Sequence, residues 1–369
     1  MTLTPFATGA RDQLAGTWRR RADHGQAAGM AIATAALRKV PGSHAFVSAS
    51  HGGVPAATLR AALSASGCQC ERVLPTVSDT AVLMVSSPCG QPGVLKVAST
   101  ASGMASVGQE REMLARLWAE ERLLGWRDLL PAPLAAGYLD DGVFLLVSRL
   151  TGRDGRQLQP AAAGQLTTAA IGAIAPLHRL GQAMQVPGPD LLDSWVNEPA
   201  ARIAGAAGGH PAIGRMTAVL RAELGSGPVP VGWTHGDFYP GNVLVGDGGQ
   251  VTGIIDWSQA RPLDLVPLDL AFWLLAGPAP GQPRDLGRRV AARLASGRYW
   301  TPAEGALLQA AMPGLPATGR SLLVLAWLRH VAANLAKSAR YASSPFWSRR
   351  NISPVLRQLD EIAWAGEGP

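Results

Sequence analysis

The chain has 369 residues, 47% of them apolar and 16% charged, which excludes a disordered protein and leaves room for one large or two modest domains. Its formal charge is +7, carried almost wholly by arginine, but the basic residues fall in scattered pairs such as Arg288-Arg289 and Arg349-Arg350, without the basic-aromatic stripe of a nucleic-acid binder. The longest apolar runs, Leu322 to Leu328 among them, are far too short to span a bilayer, so neither nucleic acid nor membrane is an expected partner.

Residues 1–44 are rich in Ala, Gly and Arg with weak periodicity, and read as an appended helix or loose arm ending near Pro41-Gly42. Arg19-Arg20-Arg21 ahead of Ala27 to Leu37 is a poor secretory signal, because the apolar stretch is small-residue rich and His24-Gly25-Gln26 interrupts it. Cys68, Cys70 and Cys89 are odd in number, which fits a reducing compartment, and Cys68-Gln69-Cys70 offers two ligands where a zinc site needs three or four.

Residues 45–150 have a strand-helix-strand texture and read as one domain. Thr58 to Leu63 predicts a short helix. Arg72 to Leu74 and Ala81 to Val85 predict strands around a polar turn, and Val94 to Val97 a third strand. The turn lacks glycine, so Ser78 and Thr80 are candidates for a phosphate-covering loop, with an ordinary hairpin as the equal alternative. Lys96 sits inside the apolar third strand. The chain has only Lys39, Lys96 and Lys337 and otherwise uses arginine, so a lysine at a costly position suggests that a compact point charge is wanted. The helix predicted over Ser106 to Trp118 carries two candidate partners. Glu110 shares the face of Leu114 and Leu117 and is preferred over Glu112, which shares a face with Arg116. Val143 to Val147 reads as a further strand.

From residue 151 to 369 the chain reads as helical, apart from Trp233 to Trp257. There Val243 to Val245 and Val251 to Ile255 flank Gly246-Asp247-Gly248-Gly249 and predict an antiparallel hairpin. The pairing would bring the Asn242 amide and the Asp256 carboxylate to one end, beside Asp237 on the preceding loop. Oxygen ligands so grouped suit a hard cation such as Mg²⁺ that also holds phosphates. His178 reads as a hydrogen-bonded core histidine, and the resemblance of Asp269-Leu270-Ala271 to a known family's Asp-Leu-Ala implies helix-capping support for the loop. An amphipathic helix spans Ser321 to Tyr341. Trp327, Asn334 and Trp347 are of the kind that stack on or hydrogen-bond a sugar, although core packing explains them as well.

The run HGDFYPGN (His235 to Asn242) followed by IIDW (Ile254 to Trp257) resembles the catalytic and metal-binding segments of the aminoglycoside phosphotransferase and choline kinase-like family. The resemblance extends over about residues 70–345. It implies an α+β, two-lobed protein-kinase-like fold with a small β-rich N-lobe and a larger, mostly helical C-lobe. It also implies ATP as phosphate donor with Mg²⁺, a small-molecule hydroxyl acceptor, and a cytoplasmic enzyme. Asp237 would be the catalytic base and His235 a brace of its loop through its ring N–H groups. Asn242 and Asp256 would hold the metal. Lys96, oriented by Glu110, would hold the α- and β-phosphates. Residues 148–152 would contact the adenine through backbone groups. The lysine that protein kinases place two residues after the base is replaced by Tyr239, which speaks against a protein substrate. The alternative is a nucleotide-binding pseudokinase with a regulatory role, toward which only the glycine-free turn leans. Acceptor, choice of ATP or GTP, and oligomeric state are left open.

Overall fold

The computed structural model describes residues 51–362, apart from 77, 88, 159–162, 278–282, 284 and 312–318. The expected N-terminal extension, residues 1–44, lies outside the described residues. The chain divides into two compact units. The described part of the first comprises residues 51–115 and 131–149, and that of the second residues 116–130 and 150–362.

In the first unit, helix α1 (Ala56–Ser66) precedes strands β1 (Gln69–Leu74), β2 (Thr80–Ser86) and β3 (Pro92–Ala98). Helix α2 (Ala101–Ala119) follows, its residues to Ala115 in this unit, then β4 (Pro133–Leu139) and β5 (Gly142–Ser148). The five strands form one antiparallel sheet in the order β1-β2-β3-β5-β4. Strand periodicity explains the packing. Leu83, Val85, Leu95 and Val97 alternate along β2 and β3 and bury themselves with Leu59 and Ala62 of α1. Lys96, between Leu95 and Val97, therefore points to the opposite face, where it pairs in register with Val82 and Leu145. Cys68 and Cys70, two residues apart, fall in this same core, and burial pushes both thiols up. They are packing residues of the sheet.

The second unit is mostly helical. It contains β6 (Arg153–Asp154), α3 (Ala163–Arg179), β7 (Ala183–Gln185), α4 (Pro189–Leu192), α5 (Glu198–Ala206), α6 (Pro211–Gly225) and β8 (Val229–Thr234). After these come β9 (Val243–Val245), β10 (Val251–Ile254), β11 (Arg261–Leu265), α7 (Pro267–Ala276), α8 (Leu286–Ser296) and α9 (Pro302–Ala311). The last elements are α10 (Gly319–Lys337), α11 (Ala339–Ala342), α12 (Pro345–Asn351) and α13 (Ser353–Glu361). Its two small sheets run β10-β9-β6 and β11-β8-β7. Trp195, Leu220, Trp327, Leu328 and Val355 belong to one continuous core that takes in Val229 and Val231 of β8 and Leu265 of β11. Trp327 is wholly buried and its Nε1 donates to the Asn351 carbonyl at 2.7 Å, so it is a core residue.

One buried ion pair ties α10 to β11. Arg329 donates to both oxygens of Asp264, at 3.0 and 2.7 Å, and the Asp264 side chain is 1% exposed. Burial alone would raise the Asp264 carboxyl, but the Arg329 charge and hydrogen bonds hold it below the usual carboxylate range. A depressed folded pKa means that this stabilisation is complete above about pH 4 and is lost as pH falls through the folded value. Arg329→Met leaves the buried carboxylate without its two close hydrogen bonds from Arg329 and, of its ion pairs, with only the longer contact to Arg261, 3.9 Å away. We expect it to cost about 3–5 kcal/mol at pH 7 and to flatten the acid side of the stability–pH curve, measured by urea unfolding between pH 3 and 7.

Candidate active site

The Lys96 and Glu110 side chains meet in the first unit. Lys96 Nζ donates to Glu110 Oε1 at 2.8 Å and to Oε2 at 2.6 Å. Glu110 is buried, while Glu112 is exposed, so the helix face decides between the two as its periodicity predicts. The β1–β2 turn is anchored by neighbours that sequence reading passed over. Asp79 Oδ2 accepts from Ser102 Oγ at 2.9 Å, and Thr76 Oγ1 donates to the Thr80 carbonyl at 2.8 Å. Thr80 opens β2 and is buried, and Ser78 is partly exposed beside it.

In the second unit the β9–β10 hairpin forms in the predicted place, with Ile254 opposite Val243 and Val251 opposite Val245. Its ladder continues beyond the strands, since Ile255 N donates to the Asn242 carbonyl at 2.9 Å. That bond sets Asn242 and Asp256 at the same mouth. Asn242 Nδ2 donates to the Asp237 carbonyl at 2.9 Å and to Asp237 Oδ2 at 3.3 Å, which leaves the amide oxygen as the donor available to an ion. Asp256 has φ 63° and ψ 69°, and among the described residues it alone has a positive φ without being glycine. A left-handed non-glycine residue costs about 1 kcal/mol or more and persists only where its surroundings impose it. Ser258 Oγ donates to its Oδ1 at 3.1 Å, and Trp257, next in the chain, is buried with Nε1 on the Ile254 carbonyl.

The loop before the hairpin is held from below by buried groups. His235 is wholly buried and its Nε2 donates to the Ile255 carbonyl at 3.0 Å. Its Nδ1 accepts from Asp237 N at 3.3 Å, so only one ring nitrogen carries a proton, where two N–H groups were expected. Gly236 has φ 77°, and a Cβ there would collide with the Gln259 carbonyl. Asp269 accepts from His235 N at 2.7 Å, Gly236 N at 2.8 Å and His178 Nε2 at 3.0 Å. Its support of the loop was foreseen, as was the packed role of His178. The expected helix cap is absent, because α7 begins at Pro267 and Asp269 already lies in the first turn, with both oxygens turned to the loop.

Two residues of α10 complete the constellation and were missed. His330 Nδ1 lies 3.6 Å from Asp237 Oδ1, its ring stacks on Phe272 at 4.2 Å, and its Nε2 accepts from Asn334 Nδ2 at 2.9 Å. Lys337 Nζ lies 3.4 Å from Asp256 Oδ2. Residues 330, 334 and 337 are spaced i, i+4 and i+7, one stripe of the helix. That spacing, together with the scarcity of lysine, was the signal available in the sequence. The Asp256 charge raises the Lys337 pKa against the opposing effect of burial, with Asp237 adding to it, so the ammonium stays charged. Tyr239 is raised by burial and by Asp237. Arg156 lies over its ring, 6.0 Å from the centroid.

An antiparallel five-stranded sheet with a buried Lys–Glu pair, and a helical unit with the Asp-Asn-Asp hairpin mouth, define a small-molecule kinase of protein-kinase-like fold. The chain belongs to the phosphotransferase enzyme family, whose model matches residues 72–308. No curated protein matches it in sequence. Among solved structures it resembles a thermostable mutant of aminoglycoside phosphotransferase APH(4)-Ia in ternary complex with ADP and hygromycin B, at 15% identity and TM-score 0.51, over 84% of this chain and 99% of that one. A putative aminoglycoside phosphotransferase from Ralstonia eutropha is similar at 16% identity and TM-score 0.50, over 84% and 99%. At these identities the likeness is one of fold.

Proposed function

We propose that the protein moves the γ-phosphoryl group of ATP to a hydroxyl of a small molecule, with Asp237 as the base. The observation that carries this reading is the hairpin mouth, where Asn242 is bonded to Asp237 and joined through the ladder to the segment bearing a strained Asp256. The donor set fits Mg²⁺. Among the described residues no group of three or more His, Cys, Asp or Glu side chains could hold a metal. An amide oxygen from Asn242 and a carboxylate from Asp256 are what Mg²⁺ takes from a protein when phosphates and waters complete its shell. When bound, the ion would neutralise phosphate charge and fix the direction of the transferring group.

The chain's own residues do the rest. Lys96, oriented by the two oxygens of Glu110, would hold the α- and β-phosphates. The acceptor hydroxyl would donate to Asp237, and its oxygen would form the new P–O bond as the bond to the β-phosphate oxygen breaks. The proton would pass to the Asp237 carboxylate late, because the transition state is loose. ADP would leave with the electron pair. His235 and Asp269 would take no part in the transfer. They would position the loop, His235 from full burial and Asp269 through two backbone N–H groups. The need for ATP in a reaction of this kind supports a cytoplasmic location.

The test is a thermal-shift titration with Mg·ATP followed by ATP consumption over a panel of hydroxyl acceptors. A ligand at one hundred times its Kd adds about 2.7 kcal/mol to stability, so Tm should rise by a few degrees. Lys96→Ala should abolish most of that rise. Wild-type protein that neither shifts with Mg·ATP nor consumes it with any acceptor would sink the reading.

A further inference from the structure

The stripe on α10 brings to the site a charge that the catalytic loop does not itself carry. The position two residues after Asp237 is Tyr239, half-buried and unable to supply a positive charge. Lys337 arrives instead from about one hundred residues downstream, its ammonium 3.4 Å from Asp256 Oδ2 and within electrostatic reach of Asp237 and Tyr239. The side chain keeps 21% of its surface open, so a ligand at the hairpin mouth can touch it. Residue choice points the same way. This chain has 33 basic residues, of which only Lys39, Lys96 and Lys337 are lysines. Arginine presents a rigid planar fork, whereas an ammonium is a compact point charge that can follow an oxygen as it moves. Lys96 is already assigned to phosphates, and Lys337 is the second such exception.

A plain structural role for Lys337 would be to balance Asp256. Pairing alone does not require a lysine at an aspartate held in a left-handed backbone, at the hairpin mouth where Asn242 is bonded to the proposed base. We propose that Lys337 is a catalytic residue of the phosphotransfer, its ammonium contacting the equatorial oxygens of the γ-phosphoryl group as that group passes from ADP to the acceptor. The assignment rests on the phosphotransferase reading above. In the transfer the P–O bond to the β-phosphate oxygen breaks, the bond to the acceptor oxygen forms, and the hydroxyl proton goes to Asp237. Lys337 gives up no proton and balances negative charge on the oxygens of the moving group.

The experiment needs no knowledge of the acceptor. Affinity for Mg·ADP is measured by calorimetry without and with aluminium fluoride, which mimics the transferring phosphoryl group, in wild type, Lys337→Met and Lys337→Arg. In wild type the fluoride should tighten binding by on the order of 10²-fold. Lys337→Met should lose about nine-tenths or more of that gain while Mg·ADP alone binds within about 3-fold of wild type. Lys337→Arg, which keeps the charge, should recover part of the gain. If Lys337→Met does not fold, as judged by its Tm, Lys337→Gln takes its place with the same expected result. An undiminished fluoride gain in the neutral variant overturns the proposal and leaves the phosphotransferase reading standing. An equal loss with and without fluoride also overturns it, since that marks a residue serving nucleotide or metal binding alone. Wild type that binds no Mg·ADP overturns the phosphotransferase reading and this inference with it.

Discussion

Asp237→Ala is expected to lower kcat by about 10²–10⁴-fold while Mg·ATP affinity stays within about 3-fold of wild type. The split follows from how Asn242 is held. Its amide donates both to the Asp237 carboxylate and to the Asp237 backbone carbonyl, and the shorter bond, 2.9 Å, is the backbone one. Removing the side chain therefore keeps Asn242 placed by the main chain, and Asp256 by the hairpin ladder. What disappears is the group proposed to orient the acceptor hydroxyl and take its proton. Because the transfer is loose and needs a base only late, much of the loss should come from orientation, so raising the pH should restore little of it. Phosphotransfer by the alanine variant at the wild-type rate, read as ADP release with any acceptor from the panel, would remove Asp237 from its role.

Asp269→Asn is expected to be nearly as damaging by a different route. The two oxygens of Asp269 accept from His235 N, Gly236 N and His178 Nε2, and the residue is almost wholly buried. An asparagine offers one oxygen and turns an NH₂ group toward a remaining N–H donor. Two donors then face each other without water to separate them, a cost of about 2–4 kcal/mol. Gly236 already sits at φ 77° with no room for a side chain beside Gln259, so the loop has little freedom to relax. We expect a lower midpoint in urea with an unchanged m-value, together with a kcat loss larger than the fall in folded fraction explains. A variant of wild-type stability and activity would show that the loop is held by other means.

The two tests separate what could be read along the chain from what could not. Strands β2, β3 and β5, the helix bearing Glu110, and the β9–β10 hairpin were legible because each is announced by periodicity or by turn residues within a dozen positions. The preference for Glu110 over Glu112 was legible for the same reason: helical spacing alone puts one carboxylate on the buried face. His235 was recognised as a brace, but its proton count was not, since the acceptor role of Nδ1 depends on where Asp237 N points. Asp79, which ties the β1–β2 turn to α2 through Ser102, gave no local sign.

Sequence by itself determined the fold class and the local order of the chemistry. Two carboxylates and an amide at fixed short spacings admit few other uses, and hairpin geometry follows from a few neighbouring residues. Only the tertiary structure decided which distant groups answer them. Asp269 and His178 could be read singly, but not the bond between them, nor the reach of His330 to Asp237 and of Lys337 to Asp256 from 81 or more residues away. Their placement depends on how α3, α7 and α10 pack on a shared core, and no short-range periodicity encodes that.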